Sequence, residues 1–279
     1  VVVQRGCDRF CTYCVVPLAR GAPFSRPWQE VVEEIRALDS AGIEEVVLAG
    51  INMGLYDGGL ARLVHRVLEH TDIARLRISS LEPFTVEKGL IDLMAEEPRI
   101  CRHVHLSLQH GSDRILAAMG RPTRVRDIRR LLETIFSRVE GAAVGSDIIV
   151  GFPGEDDRDF MATYALVEEF PFAYLHVFPF SPRPYTRAAG MFPRPAPQVV
   201  AARSAAMREL SRIKREEFAA GRIGSVEQVL VTGSDGGHVR GITSSYLRVS
   251  SSGEAPAGGL VPVRITGRRG PVLTGEFLG

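Results

Sequence analysis

Across residues 1–178 short apolar runs alternate with helix-spaced stretches, and this rhythm constrains the fold more than any other feature of the chain. Strands are expected at 1–4, 45–49, 76–79, 103–108, 146–150 and 174–178, with helices at 28–40, 60–69, 86–96, 126–137 and 157–170 between them. In the first helix Val31, Val32, Ile35 and Leu38 keep the helical period, and Ala41-Gly42 closes it. Strands separated by helices of this length run parallel, with right-handed crossovers. The expected α/β architecture is an open or closed barrel of about six repeats, short of the eight of a full barrel.

In such a barrel functional groups gather where strands end. The polar clusters of this sequence fall there: Gly50-Ile51-Asn52, Ser79-Ser80-Leu81-Glu82-Pro83, Gln109-His110-Gly111-Ser112, Gly151-Phe152-Pro153-Gly154-Glu155 and Pro179-Phe180-Ser181-Pro182-Arg183-Pro184. Each has an ordinary reading by itself. The Gly151 to Glu155 segment reads as a turn into a helix N-terminus, Ser79, Ser80 and Glu82 as a cap, and Gln109 as a satisfied buried amide. His103, His105 and His110 read as core-lining histidines. What argues for function is the shared rim.

The first strand runs straight into Gly6-Cys7-Asp8-Arg9-Phe10-Cys11-Thr12-Tyr13-Cys14, which holds three of the four cysteines. One tight loop can aim three thiolates at one centre. Structural zinc closes four positions, and Cys101, the only other cysteine, lies far along the chain. Three thiolates on a 4Fe-4S cubane leave one iron open to a small chelating molecule, which favours chemistry over structure. Zinc completed by a distant His or Asp, or unrelated reduced thiols, are the other readings of the spacing. A disulfide framework is disfavoured, and reduced thiols point to the cytoplasm.

Lys+Arg 34 against Asp+Glu 33 leaves a net charge of +1, so any nucleic-acid contact must come from local patches. No apolar run is long enough to span a bilayer. After Pro184 the composition shifts, with Pro193, Pro195 and Pro197 marking a linker. A helix from 198 to about 220 follows, carrying Arg203, Arg208, Arg212, Lys214 and Arg215 interspersed with Glu209, Glu216 and Glu217, which reads as a solvated face. Short strands are then expected at 226–231, 238–242, 246–249, 261–265 and 272–277, the pattern of a small barrel. Arg240, Tyr246, Arg248, Arg264, Arg268 and Arg269 are candidates for a basic, aromatic-bearing RNA face, with an ordinary solvated surface as the alternative. The divisions are thus a core barrel at 1–190, a linker and helix at 191–221, and a small barrel at 222–279.

The cysteine triplet with Tyr13 just before its last member resembles the signature of the radical S-adenosylmethionine enzymes. The resemblance implies a partial (β/α)6 TIM-like radical SAM barrel. It also implies a 4Fe-4S cluster on Cys7, Cys11 and Cys14 whose open iron binds S-adenosylmethionine, and reductive cleavage to a 5′-deoxyadenosyl radical. The segments 4–21, 147–155 and 178–184 are similar to the methylthiotransferase branch, whose C-terminal OB-like barrel is called TRAM. Arg77-Ile78-Ser79-Ser80-Leu81-Glu82-Pro83 and Leu175-His176-Val177-Phe178-Pro179 most resemble the subgroup that acts on N6-threonylcarbamoyladenosine beside the tRNA anticodon. Carried over position by position, Tyr13, Gly50, Asn52, Ser80, Glu82, Gln109, Ile149 and Phe178 would surround S-adenosylmethionine. The implied partners are the tRNA anticodon stem-loop and an electron donor such as flavodoxin or ferredoxin. Subgroups acting on isopentenyladenosine or a ribosomal-protein aspartate are the near alternatives. An RNA-binding protein with a structural metal site is the distant one. Full-length members carry a further N-terminal domain with a second 4Fe-4S cluster, and a chain opening inside a strand is expected to be a fragment lacking it. Pro184-Tyr185 departs from the proline-glycine usual in the branch.

Overall fold

The computed structural model describes residues 1–235 and 237–278. Its larger part is built on parallel strands β1 (Val2–Arg5), β3 (Glu45–Gly50), β4 (Arg75–Ile78), β6 (His103–Gln109), β7 (Ala143–Val150) and β8 (Tyr174–Pro179). A two-residue strand, β5 (Ser80–Leu81), continues β4 beyond Ser79 and carries the pairing to β6. An antiparallel strand, β2 (Phe24–Ser25), flanks β1. Among the described residues no strand joins β8 to β1, so the barrel stays open.

The helices are α1 (Val16–Arg20), α2 (Trp28–Ser40), α3 (Leu60–His70), α4 (Lys88–Glu96), α5 (Asp113–Ala118), α6 (Val125–Arg138), α7 (Asp157–Glu169) and α8 (Pro197–Ala220). In α3, Leu60, Leu63, Val64, Val67 and Leu68 fall on one helical face and are buried. Glu87 Oε1 accepts from Leu60 N–H at 2.8 Å, satisfying one of the donors that a helix start leaves free. On the sheet, Leu48, Leu76, Leu106, Val144 and Ile148 join the helices in one apolar core. Side chains alternate across a strand, so the positions between them look into the barrel. Those positions hold Glu45, Arg75, Arg77, His103, His105, Asp147, Tyr174 and His176. The helix side is therefore apolar and the lumen polar.

The smaller part is a closed barrel of β9 (Val226–Asp235), β10 (His238–Thr243), β11 (Arg248–Ser252), β12 (Leu260–Arg269) and β13 (Val272–Phe277), in the order β10-β11-β13-β12-β9. Among its described residues only β11 and β13 pair in parallel, which is the connectivity of an OB barrel. Val229, Val249, Val263, Ile265 and Leu273 fill it, with Ala219 of α8 as a lid.

Several elements depart from the sequence expectation. α1, α5 and β2 are too short to show a hydrophobic period. The strand expected at 246–249 begins only at Arg248, because Tyr246 takes φ +65° in a turn where its N–H donates to Thr243 O. The basic run of α8 is not wholly a solvated face. Arg203 is buried and donates to Glu155 Oε1 at 2.7 Å and Asp157 Oδ1 at 2.6 Å, and Leu175 N–H donates to Ser211 Oγ at 2.9 Å. These bonds clamp α8 along α7 and β8.

Candidate functional site

The rim where the parallel strands end is organised by the cysteine loop. β1 turns at Gly6, whose φ is +71° and where a Cβ would lie 2.0 Å from Ala22 O, so only glycine fits. Cys7 N–H then donates to Gly21 O at 3.1 Å, and Cys14 N–H to Cys11 O at 3.0 Å, which fixes the backbone that carries the three thiols. Thr12 ties the loop to the end of α5, through its N–H to Met119 O and its hydroxyl to Ala118 O, both at 2.9 Å. Its own carbonyl accepts from Ala188 N–H at 2.7 Å.

All three thiols are partly exposed and none is in a disulfide. Burial pushes the Cys11 and Cys14 thiols above their ordinary value; Cys14 and Cys7 raise Cys11 further, and Cys7 raises Cys14. A metal centre offsets this, since ligation deprotonates a thiol outright. Cys101 is no fourth ligand. It lies buried with Arg77 and Glu45 among its charged neighbours, and its thiol is pushed up to about 12 by burial.

Two chains of contacts connect the loop to neighbouring strand ends. Gln4, fully buried, donates to Arg5 O and Gly6 O while its Oε1 accepts from Asn52 N–H at 2.8 Å. This places Asn52 Nδ2 at 3.9 Å from Cys7 Sγ. Asn52 Oδ1 is buried without a partner, so it is an acceptor aimed at something else. Gly50 must be small, since a Cβ there would meet Met53 Cγ at 2.7 Å. On the other side, Arg121 donates to both Glu82 oxygens, to Ser107 O at 2.5 Å and to Tyr13 Oη at 3.4 Å. Burial and the Cys11 and Glu82 charges raise the Tyr13 phenol, keeping it neutral.

Ile149 is buried in a small cluster with Met119 and Phe152 against which Tyr13 packs. Gln109 ends β6 with φ +69° and is buried, whereas Ser80 and Phe178 are exposed. Cys7, Asn52 and Gly50 thus form one group, and Cys11, Tyr13 and Glu82 a second; Ser80, Gln109, Ile149 and Phe178 occupy neighbouring strand ends. Arg121 was not marked by sequence: a lone arginine after Gly120 carries no pattern, and only its fold-made partner Glu82 reveals it. Glu155 has another task than lining the rim. Its Oε2 accepts from Gly151 N–H at 2.7 Å and its Oε1 from Arg203.

The six residues expected to form an RNA face do not share one surface environment. Tyr246, half exposed, rests against the larger part: its ring lies 4.9 Å from that of His103, and Arg77 sits 4.9 Å over it. Tyr246 and Arg248 border a cleft of about 260 Å³ with Tyr174, His176 and Arg215. Arg268 comes within 3.7 Å of Glu216 on α8, and Arg240, Arg264 and Arg269 are exposed.

The donor set fits a cubic iron–sulfur cluster with one open iron, and Asn52 Oδ1 supplies an unclaimed acceptor beside it. The chain is similar to known proteins. The profile of the Radical SAM superfamily matches residues 1–167. A tRNA-2-methylthio-N(6)-dimethylallyladenosine synthase of Coxiella burnetii is 35% identical over 99% of this chain and 66% of its own length. A threonylcarbamoyladenosine tRNA methylthiotransferase, MtaB, of Aquifex aeolicus is 34% identical over 94% of this chain and 64% of its own. The chain therefore spans just under two thirds of these curated relatives. Among solved structures, the radical S-adenosylmethionine methyltransferase TsrM from Kitasatospora setae superposes with TM-score 0.58 at 20% identity, covering 85% of this chain and 39% of that one. That likeness speaks for the fold.

Proposed function

Because the chain belongs to the radical SAM superfamily, we propose that it cleaves S-adenosylmethionine reductively at a 4Fe-4S cluster on Cys7, Cys11 and Cys14, and that the whole protein methylthiolates an adenosine of tRNA. The observation that carries this is the loop itself: three free, partly exposed cysteines on a backbone pinned at Gly21, Met119 and Ala188, while Cys101 is buried. When bound, the cluster supplies the electron that breaks the cofactor's carbon–sulfur bond. The chain's own residues position and enclose. Asn52 offers its free Oδ1 to a donor on the cofactor, Tyr13 provides a neutral aromatic wall, and Arg121 fixes Tyr13 and Glu82 in place. Gly50, Ser80, Gln109, Ile149 and Phe178 complete the wrap around S-adenosylmethionine.

For the substrate, the Aquifex relative and segments 77–83 and 175–179 favour N6-threonylcarbamoyladenosine next to the anticodon. The Coxiella relative favours the dimethylallyl (isopentenyl) adenosine instead. The reading includes a cytoplasmic site of action, an electron donor such as flavodoxin or ferredoxin, and a second 4Fe-4S cluster in the third of the relatives that this chain does not span. Arg240, Arg248, Arg264, Arg268 and Arg269, exposed on the OB-like barrel, are the candidates for phosphate contacts, with half-exposed Tyr246 for base stacking. No helix among the described residues is long and apolar enough to cross a membrane.

The experiment uses the anaerobically reconstituted full-length protein and two tRNA preparations, one lacking the threonylcarbamoyl group and one lacking the dimethylallyl group. Methylthiolation detected by mass spectrometry only where threonylcarbamoyl is present supports the first substrate. Undiminished product without that group rejects it.

A further inference from the structure

We propose that His105, Asp147 and His176, in the barrel lumen beneath the rim, bind one divalent transition-metal ion separate from the cysteine centre. The three come from adjacent parallel strands, and the pairing sets them side by side: His105 is opposite Gly145 on β7, and Asp147 is opposite His176 on β8. Their candidate ligand atoms all lie within 4.8 Å of one another. Asp147 Oδ1 is the shared centre, 3.1 Å from His105 Nε2 and 3.3 Å from His176 Nδ1. Metal–ligand bonds of about 2.0–2.2 Å in tetrahedral or octahedral geometry separate neighbouring ligands by roughly 3–3.5 Å, which the two distances from Asp147 Oδ1 match.

The surroundings are those of a prepared site. Tyr174 Oη lies 3.0 Å from His105 Nδ1, which directs the other ring nitrogen to Asp147, as the outer partner of a metal-bound histidine does. The same hydroxyl lies 2.8 Å from His103 Nε2. Gly145 makes room for this arrangement, since a Cβ there would lie 2.2 Å from the Tyr174 ring. Two imidazoles and one carboxylate suit zinc, iron, cobalt or nickel, and the imidazoles disfavour magnesium and calcium. Three ligands leave an open coordination position. His176 and Tyr174 form part of the wall of the 260 Å³ cleft, which gives the ion an approach path from solvent.

Asp147 and His176 precede Ile149 and Phe178 by two residues each, about 7 Å deeper in the lumen at the rise of a β-strand. An ion there would face whatever fills the barrel below the cofactor, holding an oxygen or nitrogen of that molecule. The inference does not depend on which tRNA adenosine is modified.

The test is equilibrium dialysis of the reconstituted chain against buffered zinc, with metals counted by mass spectrometry. One zinc per chain beyond the cluster metal is expected, and it persists when Cys7, Cys11 and Cys14 are all replaced by alanine. His176→Ala, at a half-exposed position that the fold tolerates, weakens zinc binding at least tenfold. Tyr174→Phe, which removes the hydroxyl shared by His105 and His103, weakens it about 10–100-fold. Zinc uptake identical in wild type and His176→Ala overturns the proposal. So does uptake that disappears with the cysteines.

Discussion

The two ends of the barrel use polar residues in opposite ways. At the base, Glu45 accepts from both Arg75 and Arg77, and the spare guanidinium N–H groups reach carbonyls of the OB-like barrel: Arg75 to Gln228 O and Ile242 O, Arg77 to Ser244 O and Thr243 O, all at 2.9–3.1 Å. Charge there is buried, paired and saturated, and it joins two parts of the molecule. At the rim, the thiols of Cys7, Cys11 and Cys14 and Asn52 Oδ1 are held in place by backbone bonds but left without saturating partners. A saturated network specifies a docking geometry; an unsaturated one, equally well positioned, is what a ligand needs.

The sharpest way to break this contrast is at the rim. Cys14→Ala should abolish cluster binding and with it S-adenosylmethionine cleavage, read as iron content and 5′-deoxyadenosine yield, while leaving the melting temperature of the apo chain nearly unchanged. At the base the expectation is reversed. Glu45→Gln strands two buried guanidinium groups and should cost about 3–5 kcal/mol in chemical denaturation. Arg77 and Arg75 together outweigh the burial of Glu45 and lower its carboxyl below the ordinary 4.5. Its stabilising contribution is therefore present above that pH and lost as pH falls through the lower folded value. The stability gap between wild type and Glu45→Gln should accordingly narrow below about pH 4.5, a gap that stays constant into acid being the contrary result.

Arg121→Met tests the rim group with several partners, Glu82, Ser107 O and Tyr13, although its Nε is buried without one. Removing its bonds to Glu82 and Tyr13 should raise KM for S-adenosylmethionine by an amount near the 1.5–3 kcal/mol of a charge-assisted hydrogen bond, roughly ten- to a hundredfold, with iron content intact. Iron lost in parallel would show that Arg121 holds the loop rather than the cofactor side. The smallest effect is expected for Tyr246→Ala. It removes the half-exposed ring between Arg77 and His103 and should loosen the docked barrel by about 1–2 kcal/mol without changing cluster occupancy.

Much of this was legible in the sequence because it depends on local pattern. Periods of 2 and 3.6 residues locate the long strands and helices, and cysteine spacing locates the loop. What escaped depends on partners brought together only by the fold. Arg203 looks like its exposed neighbours on α8 until Glu155 meets it, and Arg121 has no signature apart from Glu82. Nothing in the sequence around Tyr246 announces the turn, at positive φ, that seats its ring on His103. The histidines of β6 were read as core-lining, and the structure adds that two of them share the Tyr174 hydroxyl. Burial and the nearby Arg77 hold His103 neutral, its pKa lowered to about 3.

The most direct measurement is electron paramagnetic resonance of the reduced, anaerobically reconstituted chain before and after addition of S-adenosylmethionine. An open iron predicts about four irons per chain and a cluster signal whose g-values shift when the cofactor binds. An identical spectrum with and without S-adenosylmethionine, from a chain with full iron content, would contradict an open coordination position at the cysteine loop.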